Sequence, residues 1–268
     1  MVAPPGGGAR ISRVTTSLDI QIVSHGTPEL VRRLLADLRG ASGRMHLLEN
    51  LAGTPDACAA LPSARHADRR PRGFAANHNQ LAAAGKADVI AVLNPDLRID
   101  AAVLEGLLPA FDDPATGIVA PRIYGADGRL ADNARRVLTP RRLLRDRLRP
   151  DRRRSDYPDA ARACEPEWVA GMCLLIRRRT FEDLGGFDAR YRMYCEDMDL
   201  CVRAWLAGWA VRCLPAQGVV HEARRASLRD PRHFAWHVAS LLRFWRSPAY
   251  RRFVDLSEAG RPHVVGRS

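Results

Sequence analysis

Between Asp88 and Asp96 the chain reads DVIAVLNPD. Val89 to Leu93 is apolar at every position, and Val89, Ile90 and Val92 are β-branched. A strand with one wet face alternates apolar and polar residues. A strand apolar throughout belongs inside a parallel sheet with both faces covered. Two covered faces require helices on both sides, so this run predicts a layered α/β architecture. Asn94, Pro95 and Asp96 follow at once and put polar groups at the carboxyl end of that strand. Ligands of open α/β sheets bind at that edge.

The flanking sequence fits the same plan. Leu18 to Ser24 (LDIQIVS) reads as a strand, and TPELVRRLLADLRG after it as a helix. Thr27 stands at the cap of that helix, Pro28 in its first turn and Gly40 past its end. MHLLEN reads as a second strand, GFAANHNQLAAAG as a helix that Gly85 ends, and AAVLEGLLPAF as a helix capped by Asp100. GIVAPRIY is a further strand, and GADGRL a hairpin turn. Three polar clusters thus fall at predicted strand ends: Ser24-His25-Gly26, Glu49-Asn50 and Asn94-Pro95-Asp96.

The second half carries its own signals. Arg135 to Arg154 is strongly basic and predicts a helix followed by a loop. EWVAGMCLLIRR returns to strand character, RTFEDLGGFD to a short helix, and WAVRCLP to a strand. GVVHE places His221 just after a strand. The segment YRMYCEDMDLCVRAW packs Glu196, Asp197 and Asp199 among aromatic and sulfur side chains, a costly setting for carboxylates without partners. Asp199 stands four residues before Arg203, so the two can pair on one helix face. Acidic residues also suit a helix N-terminus.

The net charge of +12 comes almost wholly from arginine, Lys86 being the only lysine. Such a surface attracts phosphate, whether on nucleotides, nucleic acids or anionic lipids. The six cysteines form no C-x-x-C pair and read as free thiols in a reducing cytoplasm. Residues 1–17 read as a flexible tail without the apolar core of a signal peptide. No apolar run approaches the ~20 residues of a membrane span. In PRHFAWHVASLLRFW, Phe234, Val238, Leu241, Leu242 and Trp245 fall on one helical stripe flanked by His233, His237, Arg243 and Arg246. That stripe suits either a membrane interface or packing on the preceding domain.

VIAVLNPDL, WVAGMCLLIRRRTFEDLGGFD, YCEDMDLCVRAWLAGWAV and VVHE occur in that order. Together they resemble the inverting family 2 glycosyltransferases of the GT-A fold, closest to the rhamnosyltransferase-like branch of bacterial surface-polysaccharide assembly. The resemblance covers about Leu18 to Glu222. It implies a GT-A domain over 18–225 and a C-terminal amphipathic helical extension over 226–268. Asn94-Pro95-Asp96 stands where the family has its D-x-D motif, with Asn94 in place of the first aspartate. Asp96 and His221 are then the implied ligands of a divalent cation, Mg²⁺ or Mn²⁺. Glu196-Asp197 matches the family's ED motif, which makes Asp197 the general base and puts Glu196 at the acceptor pocket. Glu49-Asn50 takes the place of Asp-Asn near the nucleobase, with Ser24 and His25 in the same pocket. Arg72, Gly73 and Asn79 border the donor site. Gly171 can admit a substrate to the backbone, and Trp168 can stack on a sugar ring.

The implied reaction moves a sugar from a nucleoside-diphosphate donor, dTDP-L-rhamnose above UDP- or GDP-sugars, to a glycan or polyprenyl-diphosphate-linked acceptor. The implied location is cytoplasmic, with peripheral contact to an anionic membrane. A sugar nucleotidyltransferase would need a Gly-rich basic phosphate loop near the N-terminus, and SHGTPEL is not one. Nucleic-acid binding would need a helix-turn-helix, zinc or aromatic RNA-binding motif, and none occurs.

Overall fold

The computed structural model describes residues 16–51, 63–65, 70–148, 155–216, 219–222 and 230–259. Most of the predicted N-terminal tail, Cys58, the end of the basic stretch from 149 to 154, and residues 223–229 and 260–268 lie outside the described residues.

Seven strands form the central sheet. In chain order they include β1 (Leu18–Ser24), β2 (Arg44–Glu49), β3 (Ser63–Arg65) and β4 (Val89–Leu93). Between them run α1 (Pro28–Asp37) and α2 (Phe74–Ala84). After β4 come the two-residue β5 (Leu97–Arg98), the short α3 (Ala101–Glu105), then β6 (Thr116–Pro121), β7 (Tyr124–Gly125) and β8 (Ala134–Arg135). α4 (Pro140–Leu148) leads to β9 (Trp168–Val169), β10 (Cys173–Arg177) and α5 (Arg178–Asp183). α6 (Glu196–Leu206), β11 (Ala210–Leu214), β12 (Val220–His221), α7 (Pro231–Arg246) and α8 (Pro248–Glu258) complete the chain. The central order is β11-β6-β10-β4-β1-β2-β3. Only β10 runs against its neighbours β4 and β6; the other pairings are parallel. The predicted mixed α/β class, with a mostly parallel sheet, is what the chain adopts.

β4 shows why its sequence is apolar throughout. Ile90 and Val92 enter a core shared with α2, α6 and α8, while Val89, Ala91 and Leu93 enter a second core shared with α1 and α3. All five are buried. The strand expected across EWVAGMCLLIRR is broken instead. Trp168–Val169 pairs with β8, and Cys173–Arg177 joins the main sheet. Ala170 to Met172 crosses between the two sheets, and this crossing shapes the site. Thr27 holds the cap position of α1 without a side-chain cap bond, whereas the Asp100 carboxylate does cap α3 by accepting from the Ala102 N–H.

At the C-terminus, α7 packs inward through Ser240, Leu241 and Phe244. The expected single stripe is therefore divided. Leu241 is buried and Trp245 half-buried, while Phe234, Val238 and Leu242 stay exposed at 59%, 40% and 40%. The five described cysteines are free.

Candidate active site

The carboxyl ends of β1, β2 and β4 meet on one edge of the sheet. After β1, Ser24 is fully buried and its carbonyl accepts the Asn50 N–H at 2.8 Å. Asn50, just past β2, works as a bracket. Its amide lies 3.0 Å from His25 Nδ1, donates to the Arg72 carbonyl at 3.0 Å and accepts the Arg72 N–H at 2.9 Å. Glu49 is buried beside it. Ser24, His25, Glu49, Asn50 and Arg72 thus form one cluster. The Arg72 side chain is left exposed at its rim. Gly73 follows for a steric reason: a Cβ there would lie 2.2 Å from the Arg192 carbonyl oxygen. Asn79 takes another part than the one expected. Its amide donates to the Phe187 carbonyl at 2.8 Å and accepts the Phe187 N–H at 3.0 Å. Both polar atoms thus hold α2 to that turn.

The Asn94-Pro95-Asp96 turn is fixed at both ends. The Asn94 N–H donates to the Met172 carbonyl at 3.0 Å, and the Leu97 N–H donates back to Asn94. Asp96 Oδ1 and His221 Nε2 stand 3.1 Å apart because β5 and β12 pair Leu97 with His221. His221 Nε2 is buried and makes no aligned hydrogen bond, so the two groups face each other without satisfying each other. A carboxylate and an imidazole so placed fit a hard divalent cation that takes its other ligands from a diphosphate and water. Among the described residues no third histidine, cysteine or carboxylate joins them.

The acidic segment enters α6 through two consecutive left-handed residues, Tyr194 (φ 72°) and Cys195 (φ 65°). Non-glycine residues rarely adopt this conformation, and it marks strain held by the surroundings. Those surroundings are visible. Tyr194 Oη lies 2.9 Å from His233 Nδ1 on α7, and the Met193 carbonyl accepts the Ser240 hydroxyl at 2.8 Å. The turn then delivers Glu196 and Asp197 at the positive end of α6. Asp197 Oδ2 accepts the Gly171 N–H at 2.7 Å, and Oδ1 accepts the Met198 N–H at 2.8 Å. Gly171 therefore holds Asp197 and does not offer its amide to a substrate. Because Met172 holds Asn94 and its neighbour Gly171 holds Asp197, the two motifs share one wall.

Burial, and then the adjacent Asp197 charge, push the Glu196 carboxyl up to about 8. Burial also raises Asp197, but two backbone N–H donors and the nearby Arg135 oppose it. Within the pair, Glu196 is the group that keeps its proton. Asp199 is paired as expected, accepting from Arg203 Nε at 2.7 Å, and Arg203 also donates to the Leu184 and Gly186 carbonyls.

Trp168 corrects an expectation. Its ring is 9% exposed within the core, its Nε1 donates to the Arg136 carbonyl at 3.0 Å, and the Arg135 guanidinium lies 5.4 Å from the ring centre. No open face is left for a sugar. Four residues near the site were not singled out for it from sequence: Arg135, Arg192, Tyr194 and His233. Burial, then His233 and Arg192, lower the His25 pKa, so the N-terminal turn of α7 reaches the β1 end of the site. Arg135 and Arg192 are hidden in the sequence by the abundance of arginine. Tyr194 is hidden because left-handed backbone is usually announced by glycine.

Residues 89–235, just over half of the chain, match the family model described as Glycosyl transferase family group 2, and the chain belongs to that family. It is 35% identical over 202 residues to an N-acetylglucosaminyl-diphospho-decaprenol L-rhamnosyltransferase of Mycobacterium tuberculosis, an alignment that covers 68% of this chain and 64% of that one. The chain thus spans less than two-thirds of that relative's length. It is 39% identical over 79 residues to the rhamnosyltransferase WbbL of Escherichia coli, covering 29% of this chain and 30% of that one. Among solved structures, the mannosyltransferase PcManGT of Pyrobaculum calidifontis, in complex with GDP-Man and Mn²⁺, aligns with a TM-score of 0.57 at 16% identity. That alignment covers 90% of this chain and 68% of the other and shows the shared GT-A fold.

Proposed function

We propose that this protein is an inverting glycosyltransferase that moves L-rhamnose from dTDP-L-rhamnose to a hydroxyl of a polyprenyl-diphosphate-linked glycan, in the assembly of a surface polysaccharide. The observation that carries the reading is the shared wall: Gly171 orients Asp197 while Met172 fixes the turn bearing Asp96. The rhamnosyltransferase names of two relatives, one of them acting on a decaprenol-linked sugar, support this donor and acceptor class.

In this reading the Ser24, His25, Glu49, Asn50 and Arg72 cluster receives the nucleotide. Asp96 and His221 would hold Mg²⁺ or Mn²⁺, which offsets the charge that grows on the leaving diphosphate. Asp197 is the base. Its carboxylate is held by the Gly171 and Met198 amides, so its orientation is set before the acceptor arrives. It accepts the proton of the acceptor hydroxyl as that oxygen attacks the anomeric carbon from the face opposite the diphosphate. The bond to the diphosphate breaks in the same displacement, so the configuration inverts without a covalent enzyme intermediate. Glu196, protonated beside it, avoids a second negative charge at the acceptor pocket. The protein works on the cytoplasmic face of the membrane, where an acceptor of this kind is presented.

The test is a transfer assay with dTDP-L-rhamnose, UDP-sugars and GDP-sugars against polyprenyl-diphosphate-linked N-acetylglucosamine, with the product read by NMR. Metal-dependent transfer of rhamnose with inverted configuration is expected. Transfer from a UDP- or GDP-sugar alone would replace the donor. Retention of configuration would remove the role given to Asp197.

A further inference from the structure

Cys164 and Cys213 stand opposite each other across an antiparallel bridge that joins the segment before β9 to β11. The Cys164 N–H donates to the Cys213 carbonyl at 2.9 Å, and the Cys213 N–H donates to the Cys164 carbonyl at 2.8 Å. Antiparallel residues that exchange both bonds hold their Cα atoms about 5.5 Å apart. A disulfide spans about 4.4–6.8 Å between Cα atoms, so the separation suits one.

The second, independent observation is a buried guanidinium. Arg122, just past β6, is 2% exposed. Its Nη2 donates to the Asp159 carbonyl at 2.9 Å and lies 3.4 Å from Cys164 Sγ, while its Nε is buried without a partner. Among the described residues no carboxylate pairs with it. A buried charge is costly without an opposite charge beside it. The Cys164 sulfur supplies that charge as a thiolate. A hydrogen bond from Cys213 lowers the Cys164 thiol, burial opposes it and Arg122 adds to the lowering, which brings it to about 7. Cys213 is raised, by the same bond and then by burial, so it keeps its proton. Burial pushes the Cys173, Cys195 and Cys201 thiols up as well. Cys164 also differs from these three in being half-buried, with Arg162, Ala163 and Glu165 exposed around it in the chain. The other groups facing it are Glu165, which Arg212 Nε holds at 3.3 Å, and Tyr157.

We propose that Cys164 is a thiolate that reacts with hydroperoxides and that Cys213 resolves its oxidised form, so that the pair closes reversibly into a disulfide. The Cys164 sulfur attacks the hydroperoxide: an S–O bond forms, the O–O bond breaks, and the leaving oxygen takes a proton from water. The Cys213 sulfur then attacks the sulfenic acid. An S–S bond forms, the S–O bond breaks, and the hydroxyl leaves with the Cys213 proton as water. The two sulfurs give up two electrons, and the hydroperoxide is reduced to an alcohol and water. None of Asp96, Asp197 and His221 takes part.

The experiment uses the full chain, reduced and then freed of reductant, with hydrogen peroxide as the probe. Iodoacetamide labelling of Cys164, followed across pH by peptide mass spectrometry, is expected to have its midpoint near 7, against about 8.5 for a free thiol. Stoichiometric peroxide at neutral pH is expected to join the peptides bearing Cys164 and Cys213, with the loss of two hydrogens, and dithiothreitol to separate them. Cys164→Ser is expected to lose the link and to leave Cys213 unoxidised. Cys213→Ser is expected to stop at a Cys164 sulfenic acid that dimedone traps. A labelling midpoint at or above that of a free thiol would overturn the proposal. So would peroxide that spares Cys164, joins it to another cysteine, or carries it to sulfinic acid with Cys213 untouched. The wild-type measurements decide the matter even where a serine variant folds poorly.

Discussion

Glu196 and Asp197 are neighbours with the same side-chain chemistry and different supports. Asp197 receives two backbone N–H donors, whereas Glu196 Oε2 is buried without a partner. The protonated state of Glu196 makes stability pH-dependent with a definite sign. Its pKa is raised on folding from 4.5 to about 8, so between these values the folded chain holds a proton that the unfolded chain releases. Its contribution is therefore fully present below about 4.5 and is lost as pH rises through about 8. Glu196→Gln removes that dependence. Its melting temperature relative to wild type should rise from pH 5 to about pH 8 and level off above it, and a constant offset across that range would show that Glu196 titrates as an ordinary carboxyl. Asp197→Asn keeps the shape and removes the base. It should lower transfer by ~10²–10⁴-fold while nucleotide affinity, measured by calorimetry, stays near wild type. Normal turnover would take the base role from Asp197.

The meeting of α2 with the acidic segment shows how elements set the site. The Phe74 N–H donates to the Arg192 carbonyl at 3.2 Å, and Gly73 leaves no room for a side chain against that oxygen. Because the obstacle is backbone, Gly73→Ala has to push the 192–195 turn away. It should cost about 1–3 kcal/mol in chemical denaturation and lower transfer more than Gly171→Ala. At Gly171 an added Cβ meets Asp197 only at 3.4 Å, an ordinary contact. Equal effects of the two substitutions would mean that the α2 contact does not position the turn. The pair behind the turn is more costly to break. Arg203→Ala strands the buried Asp199 carboxylate and frees the Leu184 and Gly186 carbonyls. A loss of about 3–5 kcal/mol is expected, and Asp199→Asn on the same background should recover part of it. The Asp199–Arg203 bond was readable from four-residue spacing, a property of one helix. The grip of Gly171 on Asp197 was not, because it joins residues from separate elements.

Across the whole molecule, local pattern announced the layers and missed the crossings. The apolar run of β4 predicted both cores, and the ends of β1, β2 and β4 gather their polar clusters on one edge as parallel strands require. The break at Ala170 to Met172, the burial of Trp168 and the use of Asn79 on Phe187 depend on contacts between distant segments, which no local period encodes. The outer face of α7 is a third case. Its apolar periodicity was plain, but the folded chain uses only the side bearing Leu241 and Phe244. α4 lies beside it: the Trp245 Nε1 donates to the Leu138 carbonyl, and Arg147 lies close enough to lower the His237 pKa, after burial. α4 exposes Leu144 and Leu148, and α7 exposes Phe234, Val238 and Leu242, each set at four-residue spacing among arginines. Exposed apolar residues beside guanidinium groups suit the interface of an anionic bilayer, where each basic residue near the surface contributes about 1 kcal/mol. Peripheral contact of this face with an anionic membrane would bring the Asp197 wall to a lipid-linked acceptor. Phe234→Glu with Leu242→Glu changes only exposed positions, so the melting temperature should hold. Sedimentation with phosphatidylglycerol vesicles should fall to the level seen with phosphatidylcholine, and transfer to a lipid-linked acceptor should drop more than transfer to a soluble one. Undiminished sedimentation of that variant would place membrane contact elsewhere on the basic surface.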